Sequence, residues 1–71
     1  MTMINYKRLI ELREAAGLSP AELAERIGVL PATIQGYESG RINPSEAVFW
    51  RLTEALNLGD TRVLIDGAAT L

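Results

Sequence analysis

The 71-residue sequence contains no cysteine and no histidine. Without cysteine there is no disulfide framework, and without either residue type there is no zinc finger or other soft-ligand metal centre, so no structural metal is expected. The same absences remove the commonest general base and the thiol nucleophile. No Ser, Lys or carboxylate cluster has a partner at a suggestive spacing, no Gly-rich phosphate loop is present, and so short a chain leaves little room for a substrate pocket. Neither an enzyme nor a cofactor is therefore expected. No apolar run approaches the length of a membrane span, and the N-terminal MTMINYKR lacks the apolar stretch of a secretory signal, which points to a cytoplasmic chain with no membrane partner. Positive charge is also scarce. Seven Lys and Arg stand against nine Asp and Glu, for a net charge of −2, which opposes a partner held by phosphate neutralisation unless the basic groups gather on one face.

What is present is an apolar fraction of 48%, ample for a packed core, in a length that suits one domain spanning residues 1–71. The most tightly specified stretch runs from Ser19 to Gly40. Ser19 can cap a helix, Pro20 fits the first helical position, and Glu22 three residues after the cap can close a capping box. Leu18 and Leu23 are placed as a hydrophobic staple around that start. Gly28 directly after Ile27 can take the left-handed conformation that ends a helix, so the spacing predicts a short helix over Pro20–Ile27. Leu23, Ala24 and Ile27 share one face of it. A second helix restarts at Pro31 and runs to Ser39, with Val29 and Ile34 as its staple and Ile34 and Tyr37 as its buried stripe. Two helices joined this tightly must cross steeply, and Ala24 is the small residue placed to allow it. The unit, with its core over residues 20–39, reads as a helix-turn-helix.

Before it, Tyr6 to Ala16 reads as a first helix, with Thr2 or Asn5 as its cap, Tyr6, Leu9, Ile10, Leu12 and Ala16 as apolar content and Gly17 as its stop. Lys7 and Arg8 suit either a solvated face or a phosphate contact, the solvated face being the plainer reading. Arg13 falls one turn after Leu9 on the core side, where an unpaired charge would be expensive to bury. After the helix-turn-helix, Ser39 to Pro44 is a loop marked by Gly40 and Pro44. A fourth helix follows, capped by Asn43 or Ser45, with Val48, Phe49, Leu52, Ala55 and Leu56 inward and Asn57 at its end. Trp50, about 100° round the helix from Phe49, suits an interface or half burial against a neighbour equally well. Residues 59–71 can supply a short fifth helix from a cap at Asp60 to Ile65, or an extended VLI segment, then a turn at Asp66–Gly67 and a tail. The fold class is all-α, a compact domain of four to five helices.

Ala24, Gly28 and Ile34, with the upstream run Leu18 to Ala24 and the downstream run Tyr37 to Ser45, resemble the Cro and phage-repressor helix-turn-helix, the XRE family, over about Leu9 to Leu58. The resemblance implies a sequence-specific transcription regulator of bacterial or phage origin that binds double-stranded DNA as a homodimer on an inverted-repeat operator, with the third helix in the major groove. Carried over position by position, it makes Pro31, Ala32, Thr33, Gln35 and Gly36 the base-facing residues, and Ser39, Arg41 and Asn43, with the N–H groups that start the second helix, the phosphate contacts. For Asn43 a helix cap is the stronger reading. It also pairs Arg13 with Glu38, an ion pair that locks the first helix to the third.

Against the family pattern, only Thr33 and Gln35 among the five base-facing residues carry a side-chain hydrogen-bonding group, and no Lys or Arg lies between Arg26 and Arg41. Leu30 stands where a Ser or Thr often caps the third helix, and Pro20 where a glutamine often starts the second. These departures support a second reading, a degenerate helix-turn-helix that uses its uncharged third helix or Trp50 against a protein partner.

Overall fold

A computed structural model describes residues 3–59 and 61–65. Four α-helices follow in order: α1 Tyr6–Ala15, α2 Pro20–Ile27, α3 Pro31–Glu38 and α4 Glu46–Ala55, and a 3-10 turn at Thr61–Leu64 closes the described chain. The fold is all-α. Asn5 caps α1, its Oδ1 accepting from the Arg8 N–H at 3.1 Å, which decides between the two caps the sequence allowed. The helix stops at Ala15, one residue earlier than its composition suggested. Gly17 takes a left-handed conformation, and the Leu18 N–H then reaches back to the Arg13 carbonyl at 3.2 Å, so Ala16 and Gly17 belong to the turn.

The start of α2 carries the complete capping box. Glu22 N–H donates to Ser19 Oγ at 3.1 Å, and Ser19 N–H donates to Glu22 Oε1 at 2.8 Å. Its end lies at Gly28, φ 76°, where a side chain would be strained, and the Val29 N–H closes on the Ala24 carbonyl at 3.0 Å. Only two residues, Val29 and Leu30, then separate Gly28 from α3. Ala24, 1% exposed, is buried in the core on α2, the helix that packs against α3. Ser45 caps α4 by accepting from Val48 N–H at 3.3 Å. Asn57 ends the same helix with φ 58°, taking the place a glycine more often holds, and Leu58 N–H bonds the Thr53 carbonyl at 2.9 Å.

The core gathers Leu9 from α1, Leu23 and Ile27 from α2, Ile34 and Tyr37 from α3, and Phe49 and Leu52 from α4. Leu64 completes it from the C-terminal turn, and Ile4 from the segment before α1. Thr53, the buried polar residue of α4, satisfies its hydroxyl by donating to the Phe49 carbonyl at 2.9 Å. Over residues 61–65 the chain forms a 3-10 turn at Thr61–Leu64, which takes in Val63 and Leu64 of the VLI run, and Ile65 pairs with Ile4 in an isolated antiparallel bridge. The Asp60 cap, the Asp66–Gly67 turn and the tail lie outside the described residues, as does Thr2. No helix among the described residues is long and apolar enough to cross a membrane.

Candidate nucleic-acid interface

The two faces of α3 have opposite characters. Ile34 and Tyr37, separated by one helical step, are buried on α1 and α2. Ala32, Gln35 and Ser39, spaced by three or four residues, are exposed along the other side together with Pro31, with Thr33 half-buried. The exposed strip is uncharged. Leu30, the residue before the helix, has the extended backbone of a cap but makes no side-chain capping bond and is 70% exposed.

Gly36 does not join that strip. It is buried, and a Cβ built on it would collide with Ile42 Cδ1 and lie 2.9 Å from Ile42 Cγ1. The loop after α3 folds back to make this contact, with the Arg41 and Ile42 N–H groups both bonded to the Gly36 carbonyl at 3.1 Å. Gly36 is thus a seat for Ile42 rather than a residue facing outward, which corrects its base-facing assignment. The sequence carried no local signal for this, because the neighbour that covers Gly36 arrives from a loop.

Ser39 and Arg41 lie side by side at the end of the exposed strip. Ser39 Oγ donates to the Gly36 carbonyl at 3.1 Å and accepts from Arg41 Nε at 3.1 Å. Arg41 is exposed, and no carboxylate pairs with it among the described residues. Asn43 is placed otherwise. Its Oδ1 accepts from the backbone N–H of Ile4 at 2.8 Å, and it caps no helix, since Ser45 holds that position in α4. In place of the helix cap the sequence favoured, Asn43 ties the loop to the N-terminal segment across 39 positions of sequence.

At the start of α2, the Ser19 and Glu22 N–H groups are taken up by the capping box. The Ser19 N–H is bonded to Glu22, whose carboxyl is held below the usual glutamate range first by that backbone hydrogen bond and then by the Ser19 hydroxyl. A negative charge therefore stands at this helix end. Lys7 is exposed, and Arg8 Nη1 lies 3.9 Å from Glu11.

Behind the face, Arg13 and Glu38 are brought together. Arg13 Nε donates to Glu38 Oε2 at 2.6 Å and Nη2 to Oε1 at 3.3 Å, while Nη1 donates to the Leu18 carbonyl at 2.7 Å. The side chains are 10% and 11% exposed. The pair spans α1 and α3, and its third bond reaches the turn before α2. Trp50 is 55% exposed on α4.

A sequence profile described as a helix-turn-helix domain matches residues 7–64. An uncharacterized HTH-type transcriptional regulator of Methanothermobacter thermautotrophicus is 46% identical over 46 residues, 65% of this chain and 67% of that protein. Among solved structures, the restriction-modification controller protein C.AhdI from Aeromonas hydrophila superposes with a TM-score of 0.77 at 36% identity, covering 82% of this chain and 86% of that one. An HTH_3 family transcriptional regulator from Vibrio cholerae superposes with a TM-score of 0.73 at 28% identity, covering 82% of this chain and 32% of the other.

Proposed function

The chain belongs to the helix-turn-helix domain family and is a transcriptional regulator of the Cro/repressor (XRE) type, and from that premise we propose that it reads duplex DNA with α3 in the major groove, as a homodimer on an inverted repeat. The observation that carries this reading is the exposed strip of Pro31, Ala32 and Gln35 running into Ser39 and Arg41. Gln35 supplies the paired donor and acceptor that match an adenine edge, and Ala32 and the Thr33 methyl fit against thymine methyls. Arg41, fixed by Ser39, meets a phosphate beside the groove. Each half-site is weak because it has a single guanidinium and a single amide. Two linked copies bind far more tightly than either alone, which is why the dimer belongs to the proposal.

The exposures of Leu30 and Trp50 favour a second reading, in which the same face or α4 meets a protein. One experiment separates the two. The purified protein is mixed with pooled random duplex DNA at low salt and again at physiological salt, and the retained DNA is sequenced. An enriched inverted repeat is the expected result. Negligible retention even at low salt would reject DNA reading and make Leu30 and Trp50 the positions to mutate.

A further inference from the structure

The segment ahead of α1 and the first residue of that helix touch the two ends of the loop that carries Arg41. At one end, Ile4 N–H donates to Asn43 Oδ1 at 2.8 Å. At the other, the Tyr6 ring lies so close to Gly40 that a Cβ there would be 3.1 Å from Tyr6 Cε1. The segment is itself firmly anchored. Ile4 is 6% exposed in the core and bridges to Ile65, and Asn5 N–H donates to the Leu64 carbonyl at 2.7 Å. Between the two held ends, Arg41 and Ile42 have their N–H groups fixed on Gly36 and Ile42 packs onto that glycine. A loop outside regular structure otherwise samples many conformations, and each would aim an arginine differently.

We propose that residues 4–6 and Asn43 form a strap whose role in DNA binding is to position Arg41, with Asn43 acting through that arginine rather than on a phosphate itself. The inference rests on the reading of Arg41 as a phosphate contact. Ile4 and Tyr6 hold the loop so that the guanidinium, bonded to Ser39, stays beside the exposed strip of α3. The cost of ordering that arginine is then met during folding, before DNA arrives.

The test is a double-mutant cycle of Asn43→Ala and Arg41→Ala, with the equilibrium constant for the selected duplex measured across a salt series. Asn43→Ala in the parent background should weaken binding severalfold and reduce the salt slope toward that of Arg41→Ala, a change of up to about two for a dimer that carries Arg41 twice. In the Arg41→Ala background it should have no further effect. An equal, additive loss in both backgrounds would overturn the proposal, because a direct phosphate contact or a general loss of folding acts regardless of Arg41. Tyr6→Leu provides the same cycle from the other end of the loop should Asn43→Ala fold poorly. A second readout needs no DNA. In amide NMR spectra, Asn43→Ala should shift Ile4, Gly40 and the Arg41 Nε–H, whereas shifts confined to Ile4 and the immediate neighbours of residue 43 would overturn the strap. A parent protein that binds no DNA would reject the regulatory reading, and the spectra alone would then decide the strap.

Discussion

Arg13 shows how one residue can be both an expense and a constraint. Its guanidinium sits where water is largely excluded, and three of its hydrogen bonds are satisfied, two by Glu38 and one by the Leu18 carbonyl. The net worth of such a pair is small, since desolvating two charges offsets most of their attraction. Breaking it is different. Glu38→Ala leaves the Arg13 charge buried without its partner, for a loss of about 3 kcal/mol, which in a domain this small lowers Tm on the order of 15 °C. Thermal denaturation followed by circular dichroism measures this directly, and a Tm equal to the parent's would show that the pair does not lock α1 to α3. Replacing both residues with apolar side chains of similar volume should restore most of the loss, because no unpaired charge then remains.

At the scale of the element, α2 and α3 begin in contrasting ways. The start of α2 is satisfied by the Ser19–Glu22 box, whereas Leu30 gives α3 an extended cap residue and no side-chain acceptor. Leu30→Ser should supply that acceptor and remove an exposed apolar side chain, raising stability by about 1 kcal/mol and Tm by roughly 4–8 °C. An unchanged Tm would mean that the α3 start gains nothing from a cap. The box of α2 makes a prediction in acid. The folded carboxyl of Glu22 titrates below its unfolded value, so its contribution is fully present above the ordinary glutamate range and is lost as pH falls through the folded value. Glu22→Gln keeps an acceptor for the Ser19 N–H but does not titrate, so its Tm should fall less steeply than the parent's below about pH 4.3. The same substitution removes a negative charge from the start of α2. If that helix end faces a phosphate, binding at low salt should strengthen; weaker or equal binding would place the α2 start away from the backbone.

For the whole molecule, what the sequence announced and what it concealed divide along the range of the interactions. The bounds of α2, its capping box and the turn at Gly28 depend on residues within five positions of each other, so spacing alone displayed them. Gly36 and Asn43 could not be placed that way. One is defined by a loop folding back on a helix, the other by a hydrogen bond across 39 positions, and neither leaves a periodic or local trace. The same long-range folding decides how an acidic chain can face DNA. Seven basic residues and a net charge of −2 would predict little attraction if charge were spread evenly; Arg13 is consumed in the interior, Arg8 lies near Glu11, and Arg41 is an exposed cation bonded to Ser39 at the end of the α3 strip. On the proposed reading a dimer would neutralise about two phosphates through arginine, and log K should fall against log salt with a slope of about −2, far shallower than proteins with 6 to 10 contacts. Anisotropy titrations from about 50 to 200 mM salt measure it, and Arg41→Ala should flatten the slope nearly to zero while weakening binding alike on all sequences. A parent slope of about −5 or steeper would require further cations at the backbone, and Lys7, Arg8 and Arg26 would be the residues to test. A shallow slope with retained sequence preference would instead mean that discrimination comes from Gln35, thymine methyl contacts and the shape of the duplex rather than from charge.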